Sequence, residues 1–299
     1  MRSTTTTKEA VTRSAEAGVA GSANKSVAER LEAGRLLRQQ VSRSAHGKWS
    51  PPDGRPDPIA LLRAEDQGRL PELLPMRYER MLASPFTFYR ASAAVMACDL
   101  ATSPVSGLTV QASGDAHLSN FGGFATPERT LVFDLNDFDE TLPGPWEWDI
   151  KRLAASVVLA GRDNGFRTAD CASAARAAVR SYRERMAEFA PMSHLAVWYT
   201  RIAADEVAAD LPKAARKNWE RAVMKAKSRD HVQSLDKMTT LVDGKLRITD
   251  DPPLIVHHSD ELVGDHLPAF TKTYRSSLRD DVSALLQRYT FVDFAQKVV

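Results

Sequence analysis

Cysteine is nearly absent. Cys98 and Cys171 are the only two in 299 residues, with no CxxC pair and no Cys/His ligand spacing. This excludes a disulfide framework and a structural zinc site, and predicts a reducing, cytoplasmic setting. Long apolar runs are missing too. Nothing approaches the ~20 residues needed to cross a bilayer, and the Ala-rich stretches are broken by Arg, Asp and Glu. The opening MRSTTTTKEA lacks the apolar stretch of about 7–15 residues that a secretory leader carries, so neither export nor membrane insertion is expected. Charge of one sign is lacking as well. Forty Lys and Arg stand against 38 Asp and Glu, a net +2, which gives no general attraction to nucleic acid or to membranes. A GxGxxG phosphate loop is found nowhere in the chain. What is there, 43% hydrophobic and 26% charged residues, suits a globular chain that buries roughly three quarters of its unfolded surface.

Residues 1 to about 28 are Ser, Thr, Ala and charge with few large apolar side chains, so they are expected to form a flexible tail. Gly21-Ser22-Ala23-Asn24-Lys25-Ser26 ends like a phosphate loop, but no strand precedes it and it reads as linker. A helix is predicted over Val27–Gln40, then an irregular SAHGKWSPPDGRPDP stretch, then helices over 59–66 and 71–83. Ser84-Pro85 supplies a cap and first-turn pair for a helix carrying Phe86, Phe88, Tyr89, Val95 and Met96 as core residues. Leu108–Ala112 and Thr130–Phe133 are β-prone and flank a polar loop. Helices are predicted over Ile150–Gly161 and Thr168–Phe189, an extended segment over Lys245–Thr249 followed by DDPPLIV, a helix over about 268–289 and a strand-like ending over 290–299. Residues 213–229 hold seven Lys or Arg against one Glu and read as a solvated helix anchored by Trp219, with no nucleic-acid role.

The chemistry concentrates in Ser113-Gly114-Asp115-Ala116-His117-Leu118-Ser119-Asn120 and in Asp134-Leu135-Asn136-Asp137-Phe138-Asp139-Glu140. Five acidic groups and two amides crowd around two strands. Such density is costly unless a cation neutralises it, and all-oxygen ligands suit magnesium. Asp115 and Asn120 stand five apart, as do the base and the metal-binding amide of the HRDxxxxN loop in protein kinases, and Asp137-Phe138 begins a DFD where kinases carry DFG. On this pattern Asp115 is the catalytic carboxylate and His117 orients it by a hydrogen bond. Asn120 and Asp137 hold the metal, with Asp134 the competitor of Asp137. Asp149, Lys151 and Arg152 open a helix, where capping and ion pairing are the expected roles. A DxH start at Asp115-Ala116-His117 also fits a two-metal phosphoesterase, but that class needs a later histidine pair one residue apart, and His257 and His258 are adjacent.

LLPMRYERMLASPFTFYRASA, SGDAHLSNFGGF, FDLNDFDET and GPWEWDIKRLAASV, in this order, resemble the bacterial domain-of-unknown-function 2252 family, itself similar to protein-kinase-like and aminoglycoside phosphotransferase-like proteins. The resemblance spans about residues 33 to 299. It implies an α+β, mostly helical, kinase-like fold with a small sheet, one domain over 29–299, and Mg2+-dependent transfer of phosphate from ATP to an unidentified acceptor. In the kinase-like enzymes a structural Asp lies twelve residues past the DF aspartate, as Asp149 does past Asp137. Arg90-Ala91 departs from the Arg-Gly usual in the family. The resemblance further implies a nucleotide-cradling glycine loop after a segment like FVDFAQKVV, so the chain is expected to be incomplete at that end. A non-catalytic kinase-like binding module is therefore the alternative, with ATP binding in question.

Overall fold

The structure, a computed structural model, describes residues 25–228, 231–257 and 267–298. Within them the architecture is mixed α+β, mostly helical, with small antiparallel two-stranded sheets. The contacts divide it into two compact units, through Trp219 and from Glu220 onward.

In the first unit, helix α1 (Val27–Gln40) starts with a capping box in which Ser26 and Glu29 satisfy each other's backbone N–H groups. The Lys-Ser that resembled a phosphate loop is thus a helix start. The tail expected over 1–28 otherwise lies outside the described residues as far as 24. Helices α2 (Pro58–Asp66), α3 (Leu74–Leu82), α4 (Pro85–Arg90) and α5 (Ala93–Leu100) follow. The single helix expected after Ser84 is two, because the chain turns at Ala91-Ser92, whose amides return to the Phe88 and Tyr89 carbonyls.

Next come β1 (Thr109–Ala112), β2 (Phe121–Ala125), β3 (Leu131–Leu135) and β4 (Leu142–Pro145). The two β-prone runs do not pair with each other. β1 pairs with β4 and β2 with β3, all antiparallel, so the polar loop lies between two hairpin-like pairs. Helix α6 (Trp146–Asp163) follows β4 directly, with Glu147 and Asp149 in its first turn, where carboxylates complement the helix dipole. It packs along α7 (Thr168–Phe189). The approach is close at Gly161, where a Cβ would stand 2.7 Å from the Cys171 sulfur. Cys171 is buried and both cysteines are free thiols. Two short helices, α8 (His194–Trp198) and α9 (Ala204–Asp210), lead to the basic helix α10 (Lys213–Ser228). Trp219 anchors it as the sequence suggests, donating to the Ala204 carbonyl at 2.9 Å and meeting Phe133 edge-on.

The second unit carries α11 (His231–Met238), the hairpin β5 (Thr239–Val242) and β6 (Lys245–Ile248), β7 (Ile255–Val256), α12 (Leu267–Ser277), α13 (Asp280–Leu286) and β8 (Gln296–Lys297). The expected 268–289 helix is interrupted after Ser277, and the strand-like ending is reduced to β8, which pairs with β7.

Candidate functional site

Helix α6 builds the site. Its polar residues Asp149, Arg152 and Ser156 fall at i, i+3 and i+7, on one face, and all three reach the loop between β1 and β2. The Asp149 carboxylate accepts the Ser113 N–H at 2.8 Å and the Gly114 N–H at 3.1 Å. The Arg152 guanidinium pairs with Asp115. The Ser156 hydroxyl accepts the Leu118 N–H at 2.9 Å. Residues 113–118, which belong to no strand or regular helix apart from the turn at Leu118–Asn120, thus obtain backbone and side-chain partners from one rigid element.

Gly114 is required by this geometry. Its φ is +82°, and a Cβ there would lie 2.3 Å from the Glu140 carbonyl oxygen. The close approach brings the acidic segment after β3 against the loop. Asn120 fixes the same junction, since its Nδ2 donates to the Asp115 carbonyl at 2.8 Å and its own carbonyl accepts the Asn136 N–H at 2.8 Å. Asn136 immediately precedes Asp137.

Asp115, His117 and Asn120 are therefore neighbours, and Asp137 lies close enough to act on Asp115 electrostatically. Asp115 is buried, at 8% exposure. Burial pushes its carboxyl up, Arg152 pulls it down by charge and hydrogen bonding, and Asp137 and Asp139 push it up again, leaving it above the ordinary value. His117 Nε2 stands 3.4 Å from the second Asp115 oxygen, and its buried Nδ1 has no partner. Burial, then the positive charges of Arg152 and Arg90, bring the imidazole down to about 4, so it is neutral at pH 7. Glu140 is lifted too. Partial burial of its carboxyl, a hydrogen bond with Asp139 and the charges of Asp115, Asp139 and Asp137 lift it to about 7.

The residues capable of holding a cation are Asn120, Asp137 and Asp139. The charges of Asp115, Asp137 and Asp139 add to the burial that lifts Glu140, and a cation would relieve that part of the shift. Among the described residues, however, no three His, Cys, Asp or Glu side chains are already gathered at ligand distances. Asp134 stands on β3 opposite Gly122 and accepts the Leu135 N–H.

Arg152 is the residue that sequence reasoning underrated. Only 2% exposed, it also donates to the Tyr89 carbonyl at 3.0 Å, and its guanidinium lies 4.5 Å from the Tyr89 ring centre. The Tyr89 hydroxyl donates back to the Arg152 carbonyl at 3.0 Å. Tyr89 and Arg90, near the end of the LLPMRYERMLASPFTFYRASA stretch, thus supply the wall on which the Asp115 partner rests. The available signal was the spacing of Asp149, Arg152 and Ser156.

Residues 69–299 match a family described as an uncharacterized protein conserved in bacteria (DUF2252). No curated protein matches the chain, and no solved structure does.

Proposed function

Because the chain belongs to the DUF2252 family of bacterial proteins, whose description carries no activity, we propose a function from the site itself: divalent-cation-dependent phosphotransfer from ATP to an acceptor hydroxyl or amine. The observation that supports it is the junction at Asn120, whose side chain and carbonyl tie Asp115 to the segment beginning Asn136-Asp137. Asn120 and Asp137 would hold the cation, and Asp137 is favoured over Asp134 because its charge raises the Asp115 carboxyl while Asp134 turns to the Leu135 N–H. A magnesium ion there would neutralise charge on the phosphate oxygens.

The other steps belong to the chain's own groups. Asp115, raised in basicity by burial and by its acidic neighbours, orients the acceptor and takes its proton as the acceptor atom bonds to phosphorus and the donor's leaving group departs. Arg152 fixes the carboxylate in one orientation, and neutral His117 faces its second oxygen. The same reading carries a kinase-like catalytic lobe and a cytoplasmic setting, in keeping with two free thiols.

One observation favours a second reading, a binding module without turnover: both Asp115 oxygens already face Arg152 and His117. Calorimetric titration with Mg2+ and ATP, followed by release of γ-phosphate to water as surrogate acceptor, separates the two. Phosphotransfer predicts saturable binding that needs Mg2+ and weakens about tenfold or more in Asp137→Asn. It also predicts γ-phosphate release that Asp115→Asn abolishes while the variant stays folded. Magnesium-dependent binding without release supports the module, and no binding rejects both.

A further inference from the structure

A cavity of about 510 Å3 opens in the first unit on Tyr89 and Met96, which also touch Arg152; neither Asp115, Asn120 nor Asp137 lines it. Its volume lies within the roughly 300–1,000 Å3 of small-molecule sites. Phe88 and Tyr89 of α4, Met96 and Leu100 of α5 and Leu159 of α6 make its walls apolar, and Trp49, 48% exposed, stands among them.

Two polar groups in this lining are short of partners. Lys151 uses one of its three N–H donors, on the Ser103 hydroxyl at 3.0 Å, and no carboxylate among the described residues is in ion-pair contact with it. The one carboxylate in the wall, Asp99, is taken by Arg55 at 2.6 and 2.8 Å. His46 contributes a buried Nδ1 with no hydrogen-bond partner. A half-buried ammonium with spare donors beside an apolar chamber can exchange water for an anion on an apolar body, since its donors pair with an anion and the chamber takes the hydrocarbon.

We propose that this cavity binds an aromatic or aliphatic carboxylic acid, its carboxylate on Lys151 and its apolar body between Tyr89, Met96 and Leu159. The chain's own electrostatics agree in direction, since burial lowers the Lys151 amine while the Glu147 charge raises it, and a bound carboxylate would favour the charged form further. Because the lining excludes the loop residues, this site and the phosphotransfer reading stand or fall separately.

Calorimetry with biphenyl-4-carboxylate and its neutral counterpart biphenyl-4-carboxamide tests the assignment. The full chain should bind the acid at one site, about tenfold more tightly than the amide, the scale of a charge-assisted hydrogen bond. Lys151→Met should erase that preference while keeping the amide affinity, and Val95→Phe, which fills the chamber, should weaken both ligands. Equal affinity for acid and amide in the unaltered protein, no binding of either, or a preference that survives Lys151→Met overturns it. If Lys151→Met fails to fold, the acid-amide comparison in the unaltered protein together with Val95→Phe decides the matter.

Discussion

At the scale of single residues, the site rests on a buried ion pair whose members lie 37 positions apart. Arg152 spends its donors on Asp115 and on the carbonyls of Tyr89 and Arg90. Removing it leaves the Asp115 charge buried without a partner, the costly half of breaking such a pair. Arg152→Met is expected to lower unfolding stability by about 3–5 kcal/mol in a urea titration, and a loss under 1 kcal/mol would mean that Asp115 had become neutral or hydrated. Asp115 and Asn120 were legible because their spacing is local and chemical. Arg152 was not, because an arginine in the second turn of a helix usually reaches solvent, and only the fold shows that this one points into the loop.

At the scale of elements, helices were read better than strands. α1 carries its capping box within itself, and α7 its length and Ala-rich composition. β2 (FGGFA) and β4 (LPGP) went unseen because glycine and proline depress strand propensity, and pairing with β3 and β1 overrides it. Another non-local element is a clasp in the second unit. His257 sits between Asp250, at 2.8 Å, and Asp293, at 3.1 Å, while Asp293 also accepts from the Ile248 amide of β6 and from Arg247. Hydrogen bonds to Asp250 and Asp293 raise the His257 pKa above 6.5, against its partial burial. Burial would push Asp293 up, but bonds from Ile248, His257 and Arg247 bring it to about 2. The histidine's contribution is complete below 6.5 and lost as pH rises through its raised value. The Asp293 contribution is present above 3.8 and lost as pH falls through about 2. The clasp is therefore strongest between 3.8 and 6.5. An NMR titration should give His257 a midpoint above 6.5 that moves down in Asp293→Asn, and an unshifted midpoint in the unaltered protein would refute the clasp.

At the scale of the whole molecule, no described helix is long and apolar enough to cross a membrane, in line with the missing apolar runs. The division after Trp219 falls inside α10, so no linker marks it in the sequence. Contacts gathered into separate clusters predict separate opening. Hydrogen exchange read by mass spectrometry should show Arg152→Met accelerating exchange in 85–163 while β5 and β6 keep their protection, and a uniform acceleration would show one cooperative unit. By itself the sequence determined the longer helices of the first unit and placed Asp115 and Asn120 in one short loop, because periodicity, capping and short-range spacing are properties of neighbouring residues. Only tertiary structure decided which strands pair, that Arg152 holds Asp115, that Gly114 must admit the Glu140 carbonyl and that a cavity opens beside Lys151. Each of these depends on which distant surfaces are brought together and shut away from water.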